Sequence, residues 1–291
     1  MAPLAFGVGA LNNQIMIPIK AWLALILVIL PNSREWQGNR PATNYPVSFE
    51  TTPARLQAAE AAWSSFLSEH RLAFVSPDLD PVLCTPRKLP PSLANKISVR
   101  PPGDTGDAVL SDLQAREFLK QFIDRNHVVL GGDQRRGTLS TKDLSLQSFS
   151  ANGPIIKAIY RQMNFPYLLA EPFGRLELSI SRTGRLLQMS STIVPFEDFT
   201  AKARLEPGEL RDRFMGRQFK YRDIAGAEKT YTVGSLSEVS PSSLVILPVI
   251  KVNTLTLRLA YPVEVGKGMT WTVFIDAVTG DEAGVKQNFV S

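Results

Sequence analysis

Few residue types in this chain could carry out nucleophilic or metal-based chemistry, and they are spread along the sequence. The 291 residues include one cysteine, Cys84, and two histidines, His70 and His127. A cysteine nucleophile needs an imidazole beside it, and a zinc site needs several histidine or cysteine ligands. The sequence contains no His-Glu-x-x-His, no Gly-x-Ser-x-Gly and no glycine-rich phosphate loop. We therefore expect no catalytic, cofactor-binding or metal-binding residues.

A hydrolase that uses carboxylates alone is the enzyme class that these absences leave open. The chain has 27 aspartate and glutamate residues, and their spacing favours no pair over another. His70 and His127 each stand beside an apolar pair near the end of a predicted helix, which is typical of a structural or surface histidine. Cys84 is interpreted as a small buried or half-buried residue. The sequence thus favours a protein that is not an enzyme.

The composition is that of a folded, mildly basic chain. Hydrophobic residues make up 44% and charged residues 20%, which suits one large or two modest domains with their own cores. The 21 prolines and 19 glycines favour loops and short strands over a helical bundle. The net charge of +5 is dispersed, which favours a solvated basic face over a nucleic-acid groove. A single cysteine excludes an internal disulfide.

The N-terminal residues 1–33 have the pattern of a signal peptide or N-terminal anchor. Every residue from Ala21 to Leu30 is apolar, and Lys20 precedes the run. This length suits a signal-peptide core of about 7–15 residues better than a membrane span of about 20. Translation from Met16 would give a short basic start to such a signal. An uncleaved anchor and a buried helix are alternatives. Either signal or anchor predicts an extracytoplasmic protein, periplasmic or secreted.

Residues 34–106 are predicted to contain one helix followed by a proline-rich extended arm. Residues 34–52 are polar and turn-rich and are interpreted as a tether. A helix is expected to begin at Pro53 with Thr52 as its cap, because apolar residues then recur at helical spacing through Leu67. The seven prolines from Pro77 to Pro102 predict extended segments and turns over residues 74–106. Residues 103–107 are interpreted as a linker.

Residues 107–199 and 200–291 are predicted to form two successive α+β units, each with a helix packed on an antiparallel sheet. In the first unit, a helix capped by Ser111 precedes alternating runs at 144–149, 155–163, 175–181 and 185–194. The apolar face of that helix is predicted to contain Leu113, Phe118, Leu119, Phe122 and Ile123. In the second unit, a helix is predicted to run from Pro207 through Phe214 and Phe219. Strands follow at 244–249, 255–265 and 271–275, and the last two form a hairpin.

Several of these segments resemble the propeptides of thermolysin-like and fungalysin-like zinc metallopeptidases. Leu259-Ala260-Tyr261, Trp271, Phe274 and the turn Asp276-Ala277-Val278-Thr279-Gly280 resemble the PepSY module. Tyr160-Arg161-Gln162 and the stretch from Gly174 to Gly184 resemble the FTP motif (fungalysin/thermolysin propeptide). Cys84-Thr85-Pro86-Arg87 resembles a Gly-Thr-Pro-Arg segment with cysteine in place of glycine. The resemblance implies cystatin-like α+β units, in which the motif residues are structural.

The resemblance also implies a function, because such propeptides hold a peptidase inactive and help it to fold. Here no peptidase motif follows. We therefore expect an exported, non-catalytic inhibitor or folding helper of an extracytoplasmic metallopeptidase. Its C-terminal tail, with Phe289, Val290 and Ser291, is the expected partner contact. The alternative is a membrane-tethered accessory subunit of a larger complex. That subunit would use Ala21 to Leu30 as anchor and the proline-rich arm to wrap around its partner.

Overall fold

The computed structural model describes residues 45–104, 106–131, 139–195, 198–222, 226–267 and 270–288. The predicted signal or anchor at residues 1–33 and the tail residues Phe289, Val290 and Ser291 lie outside these ranges. Within the ranges, no helix is both long enough and apolar enough to cross a membrane.

Short strands dominate the described chain, with three α-helices in its first half. The helices are α1 Pro53–Glu69, α2 Asp112–Arg125 and α3 His127–Gly131. The strands are β1 Val47–Glu50, β2 Asp78–Leu79, β3 Pro86–Lys88, β4 Leu144–Ser150, β5 Ile155–Gln162, β6 Arg175–Ser181, β7 Leu186–Ser191, β8 Gln218–Arg222, β9 Glu228–Thr232, β10 Val239–Pro241, β11 Val245–Lys251, β12 Thr254–Val265, β13 Thr270–Asp276 and β14 Glu282–Asn288. Single turns of 3₁₀ helix lie at Pro91–Leu93, Thr141–Asp143 and Leu236–Glu238, and a longer one at Pro207–Phe214.

Two antiparallel sheets organise these elements and confirm the predicted α+β class. The N-terminal sheet has the order β4-β5-β6-β7. The C-terminal sheet is built on β12, which pairs with β1 and β13 along one side and with β10 and β11 along the other. Strand β14 pairs with β13. Each sheet has its own hydrophobic core, and both belong to one compact unit.

The helices α1 and α2 pack into the core of the N-terminal sheet. The Thr52 side chain caps α1, and a reciprocal pair of hydrogen bonds between Ser111 and Gln114 caps α2, as the sequence predicts. The predicted apolar face of α2 is wrong at one position. Leu113 lies in the first turn and is 79% exposed, whereas Ala115, one helical turn before Leu119, is fully buried.

The second predicted helix is shorter than expected and differs in type. It is the 3₁₀ helix Pro207–Phe214, and Gly216 follows it with a φ of 72°. Phe219, predicted to lie on the helix, instead belongs to β8. Alternation of buried and exposed residues in β8 places Phe219 and Tyr221 on the core of the C-terminal sheet. The hairpin of β8 and β9 therefore begins at Gln218, within the end of the predicted helix.

Residues 95–99 of the proline-rich arm lie against the outer edge of the N-terminal sheet. The Asn95 amide donates to the Leu186 carbonyl at 2.8 Å, and the Leu186 amide donates to the Ile97 carbonyl at 2.8 Å. Ile97 and Val99 are fully buried. An uncovered edge strand invites pairing with other chains, so covering β7 protects this sheet. These residues are not free to wrap around a partner.

The predicted linker and tether are also attached to the fold. Arg100, which is 8% exposed, forms an ion pair with Asp104 at 3.0 Å and donates to the carbonyls of Ala108 and Thr183. The chain after Arg100 is thereby held against the β6–β7 turn. The end of the predicted tether, from residue 47 to 50, forms β1 and pairs with β12.

Cys84 occupies a backbone conformation that favours glycine. Its φ is 60°, and its side chain is 3% exposed. The tight turn around it is closed by the Cys84 amide, which donates to the Asp80 carbonyl at 2.8 Å. The left-handed conformation explains why glycine suits this position in the resembling Gly-Thr-Pro-Arg segment.

We expect Cys84→Gly to be more stable than Cys84→Ala by about 1 kcal/mol in free energy of unfolding, because only alanine retains the Cβ strain of the left-handed conformation. Both variants lose the buried thiol, so the comparison isolates the backbone. Urea unfolding of the two variants measures the difference. Equal stabilities, or a more stable alanine variant, would show that position 84 does not require glycine-like freedom.

Candidate functional site

Two residues of the FTP-like motif hold together the segments where the two sheets meet. Gln162 is 2% exposed, and its amide clamps the backbone of Val194 through two hydrogen bonds. The Gln162 Nε2 donates to the Val194 carbonyl at 2.9 Å, and its Oε1 accepts from the Val194 amide at 3.0 Å. Arg161 Nη2 donates to the Leu169 carbonyl at 2.7 Å. The motif thereby fixes both the chain that leaves β7 and the loop that follows β5.

That loop is bonded to the C-terminal sheet. The Ile246 amide on β11 donates to the Leu168 carbonyl at 2.9 Å, and the Ala170 amide donates to the Ile246 carbonyl at 2.8 Å. Residues 168–170 thus add a short parallel strand beside β11. Tyr160, the first residue of the motif, is buried in the N-terminal core, and burial raises its pKa to about 12. These contacts assign the motif a structural role.

Trp271 of the PepSY-like hairpin is the centre of an aromatic cluster. Its ring stacks on Phe219 with centroids 4.9 Å apart, and Tyr231 and Tyr221 lie 5.3 and 6.0 Å away. Tyr261 lies in the same core, where its hydroxyl donates to the Leu205 carbonyl at 3.1 Å. Burial raises the pKa of Tyr261. The cluster fastens the β8–β9 hairpin to the C-terminal sheet.

Asp276 is fully buried and is saturated by structural hydrogen bonds. Its carboxylate accepts from the Tyr45 hydroxyl at 2.8 Å and from Arg258 Nη1 at 2.9 Å. It also accepts from the amides of Val278 and Thr279 at 2.9 and 3.0 Å. Burial, followed by the Asp276 charge, raises the pKa of Tyr45. The carboxylate therefore closes the turn after β13 and joins it to the start of β1, which is not the environment of a catalytic acid.

The histidines and Cys84 occupy structural positions. His70 is the C-cap of α1, and its ring meets the Phe66 ring edge-on at 5.0 Å. Burial lowers the pKa of His70. His127 Nδ1 lies 2.8 Å from the Asp124 carbonyl. In the part of the chain that the structure describes, no three His, Cys, Asp or Glu side chains group as metal ligands would.

Strand β14 is the candidate interaction site, because it leads directly into the predicted partner-binding residues Phe289, Val290 and Ser291. Among the described residues, β14 pairs with β13 alone, so its second edge has no strand beside it. Its last residue is fixed to the sheet, since Asn288 Nδ2 donates to Thr272 Oγ1 at 3.0 Å. Val285, at its centre, is 46% exposed.

The Arg217 guanidinium lies beside the start of β14. Arg217 forms an ion pair with Glu282, and its guanidinium lies 5.3 Å from the Phe214 ring and 4.8 Å from the Phe219 ring. This contact fixes the start of β14 beside the β8–β9 hairpin. Unpaired amides and carbonyls along an edge strand can accept an extended peptide as an additional strand. We call this surface, from Glu282 to Asn288, the β14 edge.

The sequence did not predict strand β14. The segment from Glu282 to Asn288 is polar, contains Gly284 and shows no alternation of apolar residues. A β-bulge between Phe274 and Ile275 further disturbs its register with β13. The one signal in the sequence for this strand is its place in the chain, because it follows the tight turn that ends at Gly280.

Comparisons with known proteins include a distant structural likeness. No family model matches the chain, and no curated protein matches it. Among solved structures, the chain is similar to the C-terminal domain of YpeB from Bacillus megaterium. The TM-score is 0.29 and the sequence identity 12%, over 65% of this chain and 70% of that one. A likeness at this level carries no argument about function.

Proposed function

We propose that this chain is an exported, non-catalytic binding protein that acts as inhibitor or folding helper of an extracytoplasmic metallopeptidase. The observation that carries the proposal is the β14 edge, an edge strand that leads directly into Phe289, Val290 and Ser291. The sequence resemblance to FTP and PepSY propeptides supplies the class of partner. The apolar run from Ala21 to Leu30 supplies the export signal.

The β14 edge suits the binding of a cleft because it is already ordered. A free peptide loses conformational freedom when it binds, whereas a strand held against a sheet has lost most of it beforehand. Pairing with β13 fixes Trp271 opposite Gln287 and Thr270 opposite Asn288. The tail residues therefore begin from a fixed position. An apolar side chain such as Phe289 would fill a specificity pocket of the peptidase.

The structural roles of the motif residues support binding over catalysis. Gln162 and Arg161 hold backbone segments, Trp271 holds a hairpin, and the Asp276 carboxylate is occupied by four donors. The described core thus serves as a scaffold for its surfaces. The experiment that tests the proposal is an inhibition assay of the purified chain against thermolysin-type peptidases, together with its co-purification from its own cells. The absence of both inhibition and a co-purifying peptidase would overturn it.

Removing Phe289, Val290 and Ser291 should weaken inhibition about tenfold or more, equivalent to roughly 1.4 kcal/mol or more of binding free energy. The truncation has to stop after Asn288, because Val285 to Asn288 pair with β13 and a longer deletion would damage the sheet. The urea midpoint of unfolding should stay unchanged. The inhibition constant of each form measures the effect.

A matched control removes an exposed apolar side chain elsewhere on the same sheet. Val252, at the β11–β12 turn, is 90% exposed, and Val252→Ser should leave the inhibition constant unchanged. Full inhibition by the truncated chain would show that the tail does not enter the cleft.

A further inference from the structure

The C-terminal sheet has two faces of different character. Along β12 and β13, buried residues alternate with half-buried or exposed ones. The buried set, which includes Leu257, Val263 and Val273, forms the core with the 3₁₀ helix and the β8–β9 hairpin. The other set, with Pro262, Phe274 and Leu247, points to the opposite side. We call that side the outer face.

An apolar band crosses the outer face from one edge of the sheet to the other. Leu168 lies beside Val245 in the register of the short parallel strand, and Val245 pairs with Ala260. In the next row, Pro262 pairs with Phe274, and Phe274 pairs with Gly284. Leu168 is 45% exposed, and Val245, Pro262 and Phe274 are half-buried. None of these residues belongs to the core cluster of this sheet.

The outer face of the N-terminal sheet shows how a solvent-facing side looks in this protein. Its corresponding positions carry Lys157, Arg161, Arg175 and Glu177 together with Ile155 and Ile159. Antiparallel sheets commonly carry polar residues on the side that faces water. Within the described ranges, no helix packs on the outer face of the C-terminal sheet. An apolar band on such a face is typical of an interaction surface.

We propose that a second copy of this chain packs on the outer face, sheet against sheet, about a two-fold axis that runs along β13. We choose a second copy as the occupant because of the charges on either side of β13. Glu264 pairs with Thr272, and Thr272 pairs with Lys286, so opposite charges flank β13 in one row. Both charged residues are exposed. Neighbouring strands lie about 4.8 Å apart, so the two charges are equally far from β13.

The two-fold axis brings complementary groups together. It exchanges β12 and β14 across the interface, so Glu264 faces the partner's Lys286 and Lys286 faces the partner's Glu264. In the next row, Phe274 faces the partner's Phe274, and Pro262 faces the partner's Gly284. The Pro262 ring thus meets a glycine on the facing strand, and each surface is complementary to itself. Two-fold dimers require such self-complementarity. This proposal of a dimer does not depend on the proposed peptidase partner.

Charge reversal tests both the contact and its symmetry. Sedimentation of the full-length protein over a range of concentrations should show a monomer–dimer equilibrium. Glu264→Lys and Lys286→Glu should each raise the dimer dissociation constant roughly tenfold, because two attractive pairs become repulsive. A mixture of the two variants should form heterodimers with the dissociation constant of the unchanged protein. In the mixture, both lysines of one copy face both glutamates of the other.

The control lies at the β11–β12 turn, outside the overlap of β12, β13 and β14. Val252→Ser removes an apolar side chain that is 90% exposed and should leave the dissociation constant unchanged, and urea unfolding should confirm that all variants are folded. A protein that stays monomeric at every concentration overturns the proposal. A dimer that is insensitive to charge reversal overturns it, and so do variants whose mixture fails to associate.

Discussion

Replacing Asp276 by alanine is expected to lower the free energy of unfolding by about 3–5 kcal/mol, the usual cost of removing one partner from a buried ion pair. The carboxylate is fully buried and forms the ion pair with Arg258 at 2.9 Å. Its loss also removes the acceptor for the Tyr45 hydroxyl and for the amides of Val278 and Thr279. Urea unfolding at neutral pH measures the change.

Two further variants separate the charge from the hydrogen bonds of the turn. Asp276→Asn keeps an oxygen that can accept from Val278 and Thr279 but no longer balances Arg258, so it should cost about half as much, roughly 1–3 kcal/mol. Asp281→Ala changes an exposed carboxylate in the same turn and should stay within about 0.5 kcal/mol of the unchanged protein. If Asp276→Ala were as mild as Asp281→Ala, the buried cluster would contribute nothing to stability.

Local signals predicted the elements that depend on their own sequence. The Ser111–Gln114 capping box marks the start of α2 in four residues. The alternation along most of Thr254–Val265 and Thr270–Asp276 predicts two paired strands, because a period of two with one buried face has few other solutions. The same period places Phe274 on the opposite face from Trp271. The outer face was therefore readable from sequence, although which face is buried was not.

Elements that depend on distant partners were missed. Strand β1 has four residues, and its place in the sheet is fixed by β12, some two hundred residues later. The segment 95–99 has no strand pattern of its own, and its burial follows from its pairing with the chain around Leu186. Phe219 fits a helical spacing, but it lies in strand β8, where its ring stacks on Trp271. Tertiary contacts of this kind override local preference.

The candidate site likewise combines features that the local sequence predicts with features that depend on distant contacts. The turn on Asp276 and Gly280 was predicted from residue types, because Asp and Gly are suited to tight turns. The β14 edge was not predicted from residue types, because an edge strand need not be apolar and its register is set by β13. The roles of Gln162 and Arg161 also required the structure, since each bonds to backbone that the chain brings near only on folding.

Gly174, in the FTP-like motif, is expected to be the most sensitive glycine of the junction between the sheets. Its φ is 71°, and a Cβ atom there would lie 2.6 Å from Leu169 Cδ1 and 3.3 Å from Gln162 Cβ. Leu169 is 1% exposed, so its side chain has little room to move. Gly174→Ala should therefore lower the free energy of unfolding by roughly 2–4 kcal/mol, from backbone strain and overpacking together. Urea unfolding measures the loss.

Gly153 provides the matched control, because it shares the backbone conformation without the crowding. Its φ is 78°, and a Cβ there would meet nothing within 4 Å. Gly153→Ala should cost about 1 kcal/mol, the price of the left-handed conformation alone. The additional loss of unfolding free energy in Gly174→Ala, compared with Gly153→Ala, then measures the packing of the loop that bonds to β11. Equal costs at the two positions would mean that Leu169 yields freely, and that the junction is less tightly packed than its contacts indicate.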